Sequence, residues 1–336
     1  MNIAVIGAGG WGTTLANLLA EKGYNVVLWA FEKEVIDEIK NKRENSKFLP
    51  GVKLSENIQP TNDLKEAVSG KGIIITAIPS SFLRDMAKKI SEFIDKDAIV
   101  VSVTKGLEDV TFKRMSEILE EELKVKVVAL SGPNHAEEVS KKIPAATVVA
   151  SKYLDILPKI KEVLETGYFK VYPHDDVIGI EVCGAIKNIT AIAVGVCDGL
   201  KLGDNAKASI ITLGLTEMNK VGRYFGAKRA TFYGLAGVGD LVATCTSKHS
   251  RNRFVGERLA EGKTFEDIKK EMHGMVAEGI KTTKAVYDLA VEKNIDLPLT
   301  KQVYKVFYEK KELKKAIKDL ITLIWLLTKK ASLFPK

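Results

Sequence analysis

The sequence predicts an α/β protein in which a mostly parallel sheet with helices on both faces precedes an all-α C-terminal domain. Up to about residue 175, apolar strand-like runs alternate with amphipathic helical segments, and beyond it only helical segments remain. The strand-like runs are continuously apolar, which indicates burial on both faces and therefore a parallel sheet. A length of 336 residues favours two domains. We expect these domains at residues 1–178 and 179–336.

The predicted strands of the N-terminal half are short apolar runs that end at polar residues or proline. They cover residues 2–6, 25–30, 72–78, 98–104, 125–130, 145–151 and 168–172. Helices are predicted between them at residues 11–22, 32–42, 82–94, 111–123 and 156–164. Strands joined through helices form right-handed crossovers, so this alternation also favours a parallel sheet.

The C-terminal half shows helical periodicity throughout. Helices are predicted at residues 182–197, 208–224, 253–261, 264–272, 282–293, 300–308 and 313–327. The most apolar of them, residues 182–197, is short for a membrane span and typical of a buried helix. An intramolecular core around residues 182–226 is the simpler explanation of this apolarity, and a homodimer contact is the alternative.

Composition limits the classes of partner. The net charge is +8, yet Lys and Arg are mixed with Asp and Glu along the chain. A phosphorylated small molecule is therefore favoured over nucleic acid, and no membrane-embedded segment is expected. The three cysteines form no C-x-x-C motif, so neither a disulfide framework nor a metal site is predicted. Free thiols and the absence of a signal-like N-terminus fit the cytoplasm.

Glycines follow the first predicted strand. Gly7, Gly9 and Gly12 form a G-x-G-x-x-G pattern that also contains Gly10 and Trp11, directly before the first helix. In this context the glycines allow a tight turn, close approach of a diphosphate and close helix–strand packing. The N–H groups at the helix start favour an anion. We therefore predict a Rossmann-type dinucleotide-binding domain.

The end of the second predicted strand does not decide between NAD and NADP. Glu32 has the spacing of the acidic residue that binds a ribose hydroxyl. Lys33 follows at once and could meet a 2′-phosphate. Both cofactors stay open.

Lys187 is the only charged residue between Val182 and Cys197. Ile186, Ile189 and other apolar residues recur around it at helical spacing. A lysine in such a helix either extends its ammonium to the surface or serves a site as a general base. The spacing alone does not decide between a lysine at the surface and a lysine that serves as a general base.

Three further stretches carry polar groups suited to a ligand. Gly234, Gly237 and Gly239 mark a predicted loop that ends at Asp240. Ser250, Arg251 and Asn252 offer donors for a phosphate, and a helix start capped by Ser250 is the alternative. Lys105 and the stretch SGPNHAEEV follow predicted parallel strands, where ligands bind in such sheets.

Together these stretches resemble the bacterial-type NAD(P)-dependent glycerol-3-phosphate dehydrogenase family, from residue 1 to about residue 325. Eight motifs occur in the family's order: GAGGWGT (7–13), AIPS (77–80), TKGLE (104–108), SGPNHAEEV (131–139), GAIKN (184–188), GLAGVGDL (234–241), SRNR (250–253) and VAEG (276–279). The resemblance implies reversible interconversion of sn-glycerol 3-phosphate and dihydroxyacetone phosphate, by hydride transfer between C2 and NAD or NADP. It also implies that the glycerol 3-phosphate formed feeds phospholipid synthesis.

The resemblance also implies site residues, with Lys187 as the catalytic proton acceptor. The expected substrate-binding residues are Lys105, Gly132, Asn134, Lys187, Asp240, Ser250, Arg251 and Asn252. Those expected at the cofactor are Gly7, Gly9, Gly10, Trp11, Gly12, Phe31, Lys105, Ala136, Arg251, Val276 and Glu278. Phe31 stands where the family often has Arg, and Asn134 where it often has Ser or Thr.

Three other functions are alternatives. The nearest is another two-domain dehydrogenase, of the 3-hydroxyacyl or 6-phosphogluconate type. A redox-sensing protein would bind the dinucleotide without oxidising it and would have no use for Lys187. A flavoprotein is the third, although no second nucleotide motif is apparent.

Overall fold

The computed structural model describes residues 2–272, 274 and 276–329 of the chain. Its sheet contains the strands β1 (Asn2–Ile6), β2 (Asn25–Trp29), β3 (Ile58–Thr61), β4 (Ile73–Thr76), β5 (Ile99–Ser102), β6 (Lys126–Ser131), β7 (Ala145–Ala150) and β8 (Phe169–His174). They lie in the order β3-β2-β1-β4-β5-β6-β7-β8. Every neighbouring pair is parallel except β6 and β7. The mostly parallel sheet is thus confirmed.

Helices cover both faces of this sheet. They are α1 (Gly10–Glu21), α2 (Lys33–Lys42), α3 (Leu64–Val68), α4 (Ser80–Ser91), α5 (Met115–Leu123), α6 (Ala136–Val139) and α7 (Leu157–Leu164). In β1, Ile3 and Val5 belong to one apolar core, and Ala4 and Ile6 belong to another. Because neighbouring side chains in a strand point to opposite faces, the two cores lie on the two faces of the sheet.

Two elements differ from the sequence prediction for identifiable reasons. Strand β3 was not predicted because Pro60 interrupts it, but β3 is an edge strand, where proline costs no ladder bond. Helix α5 begins at Met115 and not at Thr111, because Val110 and Phe112 have φ angles of 71° and 56°, outside the helical region.

The described chain packs into two compact units. The first comprises the residues up to Lys105 together with Lys113–Glu181. The second comprises Gly106–Phe112 together with the residues from Val182 onwards. The domain boundary expected between residues 178 and 179 stays a prediction.

The regular structure after β8 is helical, as predicted. Its α-helices are α8 (Val177–Gly199), α9 (Asp204–Phe225), α10 (Asp240–Thr246), α11 (Arg251–Ala260), α12 (Phe265–Glu271), α13 (Glu278–Glu292), α14 (Pro298–Tyr308) and α15 (Leu313–Lys329). Among the described residues, α8 alone is long and apolar enough to cross a membrane. Its most apolar window is 89% buried within the protein, as expected for a core helix.

Helices α8 and α11 cross with their backbones in contact. A Cβ atom at Gly195 would overlap the carbonyl oxygen of Arg253, and one at Gly256 would overlap that of Ile192. Because glycine has no side chain, the two helices can approach this closely. The crossing brings the start of α11 against the helix that contains Lys187.

Glu217 of α9 is a buried carboxylate at the start of α14. It accepts hydrogen bonds from the backbone N–H groups of Leu299 (2.5 Å) and Thr300 (3.0 Å), and from the Thr300 hydroxyl (2.6 Å). Burial raises the pKa of Glu217 to about 7, although these bonds oppose the rise. A carboxyl group from another helix thus caps α14.

We expect Glu217 to make stability depend on pH. Its pKa is about 7 in the native state against 4.5 as the reference value, so the native state holds more protons between these values. The free energy of unfolding therefore falls as pH rises from about 4.5 through 7, by roughly 2 kcal/mol between pH 5 and 8. Urea unfolding of the wild type and Glu217→Gln at both pH values tests this. The wild type should lose stability relative to the variant, and parallel pH dependences would contradict the assignment.

Candidate functional site

The glycine loop between β1 and α1 is held by its own contacts. Gly7 has a φ angle of 115°, and a Cβ atom there would lie 2.5 Å from the carbonyl oxygen of Ala77. A Cβ atom at Gly12 would overlap the Gly7 carbonyl oxygen, and one at Gly10 would lie 2.8 Å from that of Phe48. The protein itself therefore requires three of the glycines.

Gly9 differs from the other glycines of this loop. A Cβ atom there would meet nothing within 4 Å, so this part of the backbone faces open space. Gly9 is also the N-cap of α1, and no side chain caps the helix. Exposed main chain next to uncapped N–H groups is the arrangement that accepts a diphosphate. The loop fits a dinucleotide.

We expect Gly9→Ala to separate cofactor binding from folding. The added methyl group meets no protein atom, but it covers the bare backbone, so NADH affinity should fall roughly tenfold (about 1.4 kcal/mol) with little change in melting temperature. Fluorescence titration with NADH and thermal unfolding measure the two effects. Gly72→Ala is the matched control, since a Cβ atom at Gly72 also meets nothing within 4 Å. Unchanged NADH affinity in Gly9→Ala would remove the proposed diphosphate site.

Other residues predicted at the cofactor lie beside this loop. The Ala136 Cβ atom is 3.6 Å from where a Cβ atom of Gly10 would be, and the Ala136 carbonyl accepts a bond from Thr14 (3.4 Å). The Trp11 ring packs edge-on against Phe169, with ring centroids 6.0 Å apart. The structure thus brings Ala136 to the start of α1.

Lys105 and Gly132 meet beyond the ends of β5 and β6. The Lys105 ammonium donates to the Gly132 carbonyl at 3.1 Å. The Asn134 side chain donates to the Ala146 carbonyl (3.0 Å) and accepts from the Thr147 hydroxyl (2.9 Å). Asn134 therefore braces this loop against β7, and its role toward substrate stays a prediction.

In the second unit, Lys187 is buried and paired. Its side chain is 8% exposed, and Nζ donates to Asp240 Oδ1 (2.5 Å) and to Thr244 Oγ1 (2.7 Å). The alternative in which this ammonium extends to the surface is wrong. A buried ammonium would be costly alone, and the carboxylate of Asp240 compensates it.

The stretch that contains Asp240 is helical and not a loop. A π-helical turn at Leu235–Gly239 leads directly into α10, which begins at Asp240. Thr244 lies one turn further on the same face, and its hydroxyl donates to the Asp240 carboxylate at 3.2 Å. Thr244 was not among the predicted site residues, although its i+4 spacing from Asp240 is visible in the sequence.

Ser250, Arg251 and Asn252 have three different environments. Ser250 accepts a bond from the Arg253 N–H group, so the helix-capping alternative is confirmed for Ser250. Asn252 is buried between helices: its Nδ2 donates to Asn188 (2.9 Å), and its Oδ1 accepts from the Gly279 N–H group (2.9 Å).

Arg251 is the exposed member of this triplet. Its guanidinium makes no hydrogen bond or ion pair with any residue that the structure describes. Arg251 is therefore the member whose donors are free to bind a phosphate. The phosphate roles of Ser250 and Asn252 stay predictions.

The remaining predicted cofactor residues lie at element boundaries. Phe31 follows β2 and is 81% exposed. Glu278 is the first residue of α13, and Val276 lies half-buried just before it. Within the described ranges, no three His, Cys, Asp or Glu side chains are placed to hold a metal ion.

Two of the buried thiols, those of Cys197 and Cys245, are not candidates for nucleophilic catalysis. Burial raises the pKa of Cys245 to about 12 and that of Cys197 to about 11. Because the thiolate is the reactive form, both side chains are inert near neutral pH.

Two protein-family models match this chain. The model for the N-terminus of NAD-dependent glycerol-3-phosphate dehydrogenase matches residues 2–156. The model for the C-terminus of the same family matches residues 176–318.

Individual relatives match over nearly the whole length. The glycerol-3-phosphate dehydrogenase [NAD(P)+] of Chlorobium limicola is 47% identical over 326 residues, 96% of this chain and 98% of that protein. A crystal structure of glycerol-3-phosphate dehydrogenase from Coxiella burnetii superposes with a TM-score of 0.92 at 39% identity, covering 95% of this chain and 98% of that one. The structure of glycerol-3-phosphate dehydrogenase from Saccharomyces cerevisiae superposes with a TM-score of 0.82 at 33% identity, covering 96% of this chain and 99% of that one. This chain therefore belongs to the NAD-dependent glycerol-3-phosphate dehydrogenase family.

Proposed function

We propose that this chain interconverts sn-glycerol 3-phosphate and dihydroxyacetone phosphate by hydride transfer at C2, with NAD or NADP as the cofactor. The observation that carries the proposal is the buried Lys187 ammonium, held by Asp240 and Thr244. Oxidation of an alcohol requires a group that takes the hydroxyl proton, and an oriented amine can do so. Family membership supports the same reaction.

Each side chain has a distinct role in this proposal. As the neutral amine, Lys187 accepts the proton of the C2 hydroxyl during oxidation, and as the ammonium it donates a proton to the ketone oxygen during reduction. Asp240 and Thr244 fix the position of its Nζ atom. Arg251 binds the substrate phosphate, and binding away from the reacting carbon orients C2.

The glycine loop and the start of α1 hold the dinucleotide through main-chain N–H groups. Ala136 and Trp11 line this part of the site, and Lys105 is proposed to contact both cofactor and substrate. When bound, the nicotinamide supplies the hydride acceptor in one direction and the hydride donor in the other.

The proposed role in the cell is supply of glycerol 3-phosphate for glycerophospholipid synthesis in the cytoplasm. Cys183, Cys197 and Cys245 are all buried and form no disulfide bond, which fits a reducing compartment. The partner is a small phosphorylated metabolite, and a homodimer stays a prediction.

The test is oxidation of NADH and NADPH, measured side by side with dihydroxyacetone phosphate. We expect oxidation of at least one cofactor that depends on this substrate. Turnover only as reduction of NAD+ or NADP+ by a 3-hydroxyacyl substrate or by 6-phosphogluconate would assign the chain to the rival dehydrogenase class. Cofactor binding without turnover on any of them would favour a redox sensor.

A further inference from the structure

The end of β2 lies directly beside the glycine loop. β1 and β2 pair in parallel register, with Ile6 opposite Trp29, and the Gly7 N–H group donates to the Trp29 carbonyl at 3.0 Å. In a Rossmann-type domain the residues after this strand meet the adenosine ribose. Here those residues are Phe31 and Glu32, and Glu32 stands at the N-cap of α2 without capping it.

A second segment, residues 45–48, is tied to the same loop. Asn45 is fully buried, and its Nδ2 donates to the Ala8 carbonyl (2.8 Å) and to the Thr13 hydroxyl (2.9 Å). The Phe48 carbonyl oxygen lies 2.8 Å from where a Cβ atom of Gly10 would be. These contacts hold the backbone of the segment against the dinucleotide loop, so the residues between Asn45 and Phe48 are carried close to it.

Lys47 is the cation of this segment. Its Nζ lies 3.4 Å from Glu32 Oε1 and 4.9 Å from the centroid of the Phe48 ring. Lys33, the cation that the sequence suggested, is exposed and makes no hydrogen bond or ion pair with the described residues. The structure therefore joins the acidic residue at the end of β2 to a lysine that comes from a different part of the chain.

We propose that Lys47 binds the 2′-phosphate of NADPH and that its pairing with Glu32 sets the preference between NADPH and NADH. This inference rests on the proposed function for its cofactor. A 2′-phosphate carries roughly two negative charges near pH 7, so Glu32 repels it and Lys47 attracts it. Towards the ribose hydroxyl of NADH, Glu32 is an acceptor and Lys47 contributes little.

The test uses nucleotide binding, which does not depend on catalysis. Calorimetric titration of the full chain with adenosine 2′,5′-bisphosphate and with adenosine 5′-monophosphate gives a ratio of two affinities. Lys47→Gln should lower affinity for the bisphosphate roughly tenfold, as expected for loss of one charge-assisted bond, and leave the monophosphate unchanged. Glu32→Gln should strengthen bisphosphate binding several-fold. In steady-state assays, the KM for NADPH should rise in Lys47→Gln and fall in Glu32→Gln, with kcat unchanged.

Lys33→Gln is the matched control, because it removes the same charge from the residue next to Glu32. Its affinity ratio should stay within about twofold of the wild type, and the effect of Lys47→Gln should shrink in high salt. An unchanged ratio in Lys47→Gln, or an equal loss in Lys33→Gln, would overturn the inference. A chain that shows the predicted ratios but oxidises neither cofactor with dihydroxyacetone phosphate would overturn only the proposed function.

Discussion

Lys187→Met should lower kcat for dihydroxyacetone phosphate reduction by about 10³-fold or more, the range expected when a positioned acid–base group is lost. Methionine fills most of the lysine volume but cannot donate the proton to the ketone oxygen. NADH affinity should stay near that of the wild type, since the glycine loop is unchanged. Single-turnover rates and a fluorescence titration with NADH measure both quantities.

A loss of structure must be separated from a loss of chemistry in this variant. Lys187→Met leaves the Asp240 carboxylate buried without its cation, which should cost roughly 3 kcal/mol of stability. The double variant Lys187→Met/Asp240→Asn removes that charge and should regain stability but not turnover. If the single variant retains wild-type kcat, or the double variant regains it, Lys187 is not the acid–base group.

Arg251→Ala should raise the KM for dihydroxyacetone phosphate about 100-fold, a loss of about 2.7 kcal/mol, as expected for a charge-assisted contact to phosphate. Turnover of unphosphorylated dihydroxyacetone should change little, because that substrate has no phosphate to bind. Arg251 has no partner among the described residues, so the melting temperature should also be unchanged. Steady-state kinetics with both substrates check this.

Arg258→Ala is the matched control for Arg251, since Arg258 lies on the same helix and pairs with Glu261 at the surface. It should leave the KM for the phosphorylated substrate unchanged. An equal rise in KM for both substrates in Arg251→Ala would exclude a phosphate role. A rise of the same size in Arg258→Ala would point to a general charge effect.

Much of the fold was predictable because its signals are local. Continuous apolar runs such as residues 73–75 and 99–101 are typical of strands buried on both faces of a sheet. The antiparallel pairing of β7 with β6 was not predicted. It arises because the connection from β6 contains only the four-residue helix α6 and not the crossover helix that a parallel pair requires.

The candidate site was predictable in its residue types and less so in its pairings. Arg251 stands out in the sequence among hydrogen-bond donors suited to a phosphate. Lys187 stands out as a charged residue in an apolar helix. The amide of Asn252 ties α8 to α13 through hydrogen bonds that no local pattern reveals, and its predicted role at the phosphate stays a prediction. The sequence allowed two interpretations of Ser250, as a phosphate-binding residue and as a helix cap, and the capping bond is seen only in the structure.

The sequence by itself determined the fold class, the glycine loop and the presence of one lysine in an apolar helix. These features depend on periodicity, spacing and the conformational range of glycine, which act within a few residues. Only the tertiary structure decided that Lys187 pairs with Asp240, and that Lys47 and not Lys33 meets Glu32. Those contacts join distant parts of the chain, so they depend on how helices and loops pack and not on any local pattern.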